Sequence, residues 1–218
     1  MTRSLKFAAA LSLALSGTAI SAPAFADIAI FAGGCFWCVE SDFDKVPGVT
    51  NTVSGYIGGE TENPNYDTYI SGGHREAVKI TYDPQTVTYE ELVDVLLKSV
   101  DVTDDGGQFC DRGFGYTSAI YPVSQGQADE AKAVKAKAQE QLGEMIVTPI
   151  EPVTSPSEFT AAEDYHQNYY KSDDRILSRF GFGTKAKAYK GYREGCGRDE
   201  KVRKIWGDSA FAGIPGMS

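Results

Sequence analysis

The sequence predicts a single two-layer α/β (α+β) domain over residues 27–218, a mixed β-sheet packed by helices, with a long irregular C-terminal segment. Three observations carry that expectation. Strand and helix patterns alternate through the first half and then mix, which favours a sheet covered by helices over a sandwich or a bundle. The length left after an N-terminal leader suits one substantial core and is short for two. No internal repeat or long linker divides the chain.

The leader is residues 1–26. Basic Arg3 and Lys6 precede an apolar stretch at 7–15, and small residues end in Ala24-Phe25-Ala26. That is the pattern of a secretory signal peptide cleaved after Ala26, and it predicts a periplasmic or extracellular protein. The stretch is broken by Ser12 and Ser16 and falls short of the roughly 20 residues a membrane-spanning helix needs. The mature chain is thus expected to carry no membrane span. Formal net charge is -9, and losing Arg3 and Lys6 makes it more acidic. Such a surface repels phosphate backbones and anionic lipid, so nucleic acid and membrane are not the expected partners.

The elements follow in order. Residues 28–32 are a short apolar run bounded by Gly33-Gly34, which reads as a buried strand entering a tight turn. A helix is expected from Cys35 to about Lys45, stopped by Pro47-Gly48. Residues 49–57 alternate as a strand, 58–73 form a loop rich in Gly, Asn and Pro, and Val78, Ile80 and Tyr82 alternate on the next strand. Thr88 and Glu91 make a capping box for a helix carrying Leu92, Val93, Val95, Leu96 and Leu97. An irregular loop at 101–113 leads to a strand at 116–121. Ser124 with Gln127 then caps an Ala- and Lys-rich helix to about Leu142. Residues 148–153 read as an edge strand, since Pro149 and Pro152 cannot donate to a ladder. Residues 161–171 read as a short helix, and the glycine-rich remainder shows no strong periodicity.

Chemistry concentrates on four cysteines, Cys35, Cys38, Cys110 and Cys196, all in the exported part, where disulfides persist. Two structural staples are one reading, with three possible pairings. A second reading centres on Cys35 at a strand-to-helix turn. A helix N-terminus lowers a thiol's pKa, and the preceding glycines leave the sulfur uncrowded. Cys35 and Cys38 also form a C-x-x-C pair, the mark of a thiol-disulfide oxidoreductase. Val39 stands where c-type haem attachment requires histidine. His74 and His166 are isolated, which argues against zinc.

Residues 33–40, Gly33-Gly34-Cys35-Phe36-Trp37-Cys38-Val39-Glu40, resemble the signature of the A-type peptide methionine sulfoxide reductases. The resemblance continues in family order through Ser54-Gly55-Tyr56-Ile57-Gly58-Gly59, Asn63-Pro64-Asn65-Tyr66, Gly73-His74-Arg75-Glu76, residues 111–116, and Ala162-Glu163-Asp164-Tyr165-His166-Gln167. It implies a ferredoxin-like plait variant, a monomer, and reduction of methionine-S-sulfoxide, free or in oxidised proteins, without metal or organic cofactor. By the same resemblance Cys35 attacks the substrate sulfur and becomes a sulfenic acid, and Glu76 is the proton donor. Tyr66 and Tyr116 polarise the sulfoxide oxygen, and Asp111 positions substrate. Phe36 and Trp37 hold the methyl group, with His166 and Tyr169 in the same pocket.

The resemblance further implies a resolving cysteine, Cys196 in its Gly195-Cys196-Gly197 setting, whose disulfide with Cys35 a thioredoxin-like donor or an envelope thiol relay reopens. Cys38 and Cys110 are the other candidates. The chain departs from the family's Asn-Arg-Gln-Gly-Asn-Asp type loop, reading Gly106-Gly107-Gln108-Phe109-Cys110-Asp111. It also has only one C-terminal cysteine, and its loop before His74 is shorter.

Overall fold

A computed structural model describes residues 26–217. The expected leader, apart from Ala26, lies outside the described residues. Strand β1 (Asp27–Gly33) leads into helix α1 (Phe36–Phe43), followed by β2 (Val49–Ile57), β3 (Arg75–Tyr82) and α2 (Tyr89–Leu97). A two-residue hairpin, β4 (Gly107–Gln108) with β5 (Asp111–Arg112), precedes a 3-10 turn at Phe114–Tyr116 and β6 (Ser118–Tyr121). Then come α3 (Gln125–Leu142), β7 (Thr160–Ala161), the hairpin of β8 (Arg175–Ser178) and β9 (Gly181–Thr184), α4 (Lys185–Gly195) and α5 (Arg198–Trp206).

The main sheet runs β6-β1-β3-β2-β7, and every ladder in it is antiparallel. A single parallel bridge, Ile120 to Ile150, joins it. Period-two alternation on β1 splits the core. Ala29 and Phe31 face the helical layer with Leu92, Leu96 and Phe43, whereas Ile30 and Ala32 face Ile57, Ala77, Ala119 and Phe159 on the other side. The α2 cap forms as its sequence requires: Thr88 Oγ1 accepts from Glu91 N–H at 3.2 Å and Glu91 accepts from Thr88 N–H at 2.8 Å. Leu92 is fully buried beneath it. Leu92→Ala is expected to cost about 2–5 kcal/mol of stability. The check is a fall in the guanidinium midpoint with unchanged slope. No helix of the described residues is long and apolar enough to cross a membrane.

Three expectations on secondary structure change. Residues 161–171 are not one helix but two 3-10 turns, Asp164–His166 and Tyr169–Lys171. Side chains take the backbone groups a helix would use. Both Glu40 carboxylate oxygens accept from Asn168 N–H, at 3.0 and 3.1 Å, and Asn168 turns left-handed at φ 53°. Residues 148–153 hold no strand beyond the bridge at Ile150, because Pro149 and Pro152 remove donors. The C-terminal segment is ordered by α4 and α5. Their inward faces are Ala188, Tyr189 and Arg193 on one and Arg198, Val202 and Trp206 on the other. Arginine on an inward face hides the apolar period.

Candidate active site

β1 delivers the chain to Gly34, which turns at φ 81°. A Cβ there would lie 2.5 Å from Gln108 Cβ, so conformation and space both demand glycine. Gln108 cannot yield, since it is fully buried and exchanges two 2.8 Å hydrogen bonds with the Asp101 backbone. Cys35 follows as the N-cap residue of α1, with its own carbonyl accepting from Cys38 N–H at 3.0 Å. The free N–H groups of the first turn therefore converge on the site.

One of them is already used. Glu76, on β3, accepts from Phe36 N–H at 2.9 Å through Oε2 and from the Tyr69 hydroxyl at 3.0 Å through Oε1. Burial pushes the Glu76 carboxyl up to about 8 against the pull of these two bonds, and the charges of Asp111 and Cys38 push the same way. At neutral pH Glu76 is thus a mostly protonated acid at the start of α1.

The two thiols of the C-x-x-C pair are both free and buried, and they pack in one cluster with Tyr169 and Tyr189. Burial raises Cys35 well above a normal thiol, and Cys38, Glu76 and Asp111 add to the rise. The expectation that the helix N-terminus would acidify Cys35 is corrected on this point, because burial of the thiol outweighs it. Burial also opposes ionisation of Cys38, yet the neighbouring Cys35 thiol and the charges of Arg198 and Arg193 outweigh it and bring Cys38 to about 7.

Aromatic rings wall the site. Trp37 stacks on Tyr169 with centroids 3.8 Å apart, and the His166 ring lies 5.0 Å from Phe36, 5.7 Å from Trp37 and 4.5 Å from Tyr66. Burial drives His166 down to about 4, so the ring is neutral. Tyr66 is held by its N–H to Glu163 at 3.0 Å, and Tyr116 meets Tyr69 edge-on at 6.4 Å. Burial raises both Tyr66 and Tyr116, which keeps their hydroxyls protonated as donors. Asp111, raised mainly by burial, accepts from the Tyr192 hydroxyl. Cys35, Phe36, Trp37, Tyr66, Glu76, Asp111, Tyr116, His166 and Tyr169 therefore converge on one site. Among the described residues no group of three or more His, Cys, Asp or Glu is disposed to hold a metal ion.

Cys196 is paired with Cys110 and not, as expected, with Cys35. It forms a disulfide with Cys110, Cα atoms 5.2 Å apart, across 86 residues of sequence, while Cys35 and Cys38 stay free. An open cavity of about 340 Å³ adjoins the bond, lined by Asp101, Asp104, Phe109 and Lys201 with both cysteines.

Four site residues went unread in the sequence. Tyr69 sits three residues from Tyr66, where helical spacing in a loop gives no signal, yet it carries the second hydrogen bond to Glu76. Tyr192, edge-on to Trp37 at 6.4 Å, and Arg193, paired to Asp42 at 2.8 Å, come from α4. Arg198 comes from α5 and donates to the Gly33 carbonyl. The i, i+4, i+8 spacing of Arg198, Val202 and Trp206 was the available sign of that helix.

The sequence profile described as peptide methionine sulfoxide reductase matches residues 27–196. A peptide methionine sulfoxide reductase of Rhizobium meliloti (strain 1021) is 53% identical over 186 residues, covering 85% of this chain and 86% of that one. Among solved structures, methionine sulfoxide reductase A of Corynebacterium diphtheriae is similar at TM-score 0.59 and 33% identity, covering 72% of this chain and 78% of the other. Mxr1 from Saccharomyces cerevisiae in reduced form is similar at TM-score 0.60 and 28% identity, covering 68% and 86%. With its signature turn, its buried carboxyl and a profile match over most of its length, the chain belongs to the peptide methionine sulfoxide reductase family.

Proposed function

We propose that this protein reduces methionine-S-sulfoxide, free or in oxidised proteins, with Cys35 as nucleophile and Glu76 as acid. The observation that carries the reading is the Glu76 carboxyl. It is buried and kept largely neutral, and it is tied to the N–H of the residue after Cys35. Sulfoxide reduction needs such a proton source beside a thiol.

Phe36 and Trp37 seat the methyl group, and the Tyr66 and Tyr116 hydroxyls donate to the sulfoxide oxygen. Cys35 Sγ attacks the substrate sulfur as Glu76 protonates that oxygen. The sulfur–oxygen bond breaks, oxygen ends on Cys35 as a sulfenic acid, and methionine leaves reduced by two electrons. His166 and Tyr169 complete the wall, and Asp111 orients the rest of the substrate.

Resolution runs through Cys196. Its thiol displaces the sulfenic hydroxyl as water and forms a Cys35–Cys196 disulfide. Cys110 then attacks Cys196, freeing the Cys35 thiol and leaving Cys110–Cys196. The Cys110–Cys196 bond with free Cys35 supports this order as its end state. Cys110 is exposed beside an open cavity, where a dithiol protein of the thioredoxin kind can attack. The leader makes export to the periplasm or beyond part of the proposal, so the donor is an envelope thiol relay rather than a cytosolic protein.

The test is turnover of the two sulfoxide epimers by purified residues 27–218 with dithiothreitol. The S epimer is expected to be preferred by about a hundredfold or more, since a built polar and apolar pocket discriminates handedness. A protein that reduced insulin disulfides but left both epimers untouched would instead be a C-x-x-C thiol-disulfide oxidoreductase.

A further inference from the structure

Cys196 closes α4 as its C-cap residue and stands just ahead of Gly197, the N-cap of α5. The negative end of one helix and the positive end of the next offset each other there, so side chains decide whether Cys196 Sγ can carry charge. One cation touches that sulfur. The Arg179 guanidinium donates to Cys196 Sγ at 3.9 Å. Arg179 lies at the tip of the β8–β9 hairpin and has no carboxylate within 4.0 Å among the described residues.

Packing aims the hairpin at this contact. Ile176 of β8 packs inward against the cluster of Cys35, Cys38, Tyr169 and Tyr189. At the tip, Phe180 lies on α4 where Gly191 and Gly195, one turn apart, leave it room. A Cβ would stand 3.0 Å from its ring at Gly191 and 3.9 Å at Gly195. The guanidinium is then held over the Phe180 and Tyr192 rings, 4.9 and 5.7 Å from their centroids.

The other charges around Cys196 are already engaged. In the cavity beside the disulfide, Asp101 pairs with Lys201 at 3.3 Å and Asp104 with Arg112. On α4, Glu194 pairs with Lys190 at 3.8 Å, and Arg193 with Asp42 and Asp199. Arg198 is turned inward to the Gly33 carbonyl, and Asp111, beside Cys110 in sequence, accepts from the Tyr192 hydroxyl. Arg179 is thus the cation left to face Cys196.

We propose that Arg179 stabilises the Cys196 thiolate and so makes Cys110 the sulfur that a reductant attacks. The reducing thiolate forms a bond to Cys110 Sγ, the Cys110–Cys196 bond breaks, and its electron pair leaves on Cys196 Sγ beside Arg179. A second thiol of the reductant then displaces Cys110. The disulfide gains two electrons, and the reductant ends as its own disulfide. The better-stabilised sulfur leaves faster in such an exchange. Access selects the same direction, because Cys110 is exposed and Cys196 half-buried.

This inference rests on the reading that Cys110–Cys196 is the bond recycled, but its main test needs neither sulfoxide nor donor protein, so the two fail separately. Residues 27–218 carrying Cys110→Ser keep Cys196 as a free thiol once reduced. Its alkylation by iodoacetamide is followed against pH through the mass of the Cys196 peptide, which leaves Cys35 and Cys38 out of the signal. Added Arg179→Gln should raise the midpoint by about half a pH unit, about threefold less thiolate below it, the size an exposed charge pair supports. Arg179 is exposed at a hairpin tip, so the substitution leaves the fold intact. Arg179→Lys should keep the parent midpoint, and Arg175→Gln, at the far end of β8, should leave it unmoved. In about 1 M KCl, where the screening length is about 3 Å, the parent midpoint should rise to that of Arg179→Gln. In the chain with all four cysteines, Arg179→Gln should slow reduction of the disulfide by dithiothreitol about two- to threefold. Equal midpoints with and without Arg179 at low salt overturn the proposal, and so does a difference that persists undiminished in the high-salt titration.

Discussion

Cys35→Ser is expected to abolish sulfoxide reduction, a loss on the order of a thousandfold or more, because removing the nucleophile of a covalent mechanism leaves only binding and polarisation. The nearby Cys38 is not a substitute. It lies one turn further along α1, almost wholly buried against Tyr189, while the Glu76 carboxyl is anchored at Phe36 N–H beside Cys35. An attack from Cys38 would therefore leave the acid on the wrong side of the sulfoxide. The measurement is single-turnover formation of methionine from the S epimer without reductant. Wild-type protein reduced beforehand should release about two equivalents for each active site, since the relay to Cys110–Cys196 returns Cys35 to its thiol once, and Cys35→Ser none. Activity that survives the substitution would remove Cys35 from the mechanism. The same assay on Cys196→Ser separates chemistry from recycling, since the first turnover needs no resolving thiol.

How far this site could be read from sequence depends on what each residue's signal is made of. Cys35, Phe36 and Trp37 sit in a contiguous run at a glycine turn, so local conformation and chemistry coincide. Glu76 is legible only through its motif, since nothing in the alternation of β3 tells a buried carboxyl from a solvated one. The sheet strands were readable because apolar alternation on β1 and β3 reports burial directly, and α2 because its cap is encoded in Thr88 and Glu91. The C-terminal helices were not. Their buried faces carry Arg193, Arg198 and Tyr189 in place of aliphatic residues, and what they pack against is the dithiol site and its acidic surroundings. Segment 161–171 misread for the opposite reason. Its composition tolerates a helix, but Glu40 and the Gln167 side chain, which donates to the Ser54 and Ala162 carbonyls, pull its backbone into turns. The pairing of Cys110 with Cys196 is a long-range outcome that spacing alone leaves open among three connectivities.

Glu76→Gln should lower kcat/KM for the S epimer by about a hundred- to ten-thousandfold, the range typical of removing a positioned general acid. Its effect on pH dependence carries more information than its size. The folded-state carboxyl is raised from 4.5 to about 8, so the native chain holds a proton on Glu76 that the unfolded chain releases once pH exceeds about 4.5. Unfolding thus becomes easier as pH rises between those values, by up to about 1.4 kcal/mol per pH unit from this group, and the contribution is flat above about 8. Gln cannot titrate. In Glu76→Gln the guanidinium midpoint should therefore fall less steeply from pH 5 to pH 8 than in wild type, even where the lost hydrogen bond to Phe36 N–H or Tyr69 lowers its absolute value. Turnover tests the same proton from the other side. Wild-type activity should decline as pH passes about 8 and Glu76 loses its proton, and the residual activity of Glu76→Gln should lack that decline. Parallel stability slopes for the two proteins would mean that Glu76 is ionised in the folded state, and the acid in the reaction would then have to be Tyr66, Tyr69 or Tyr116.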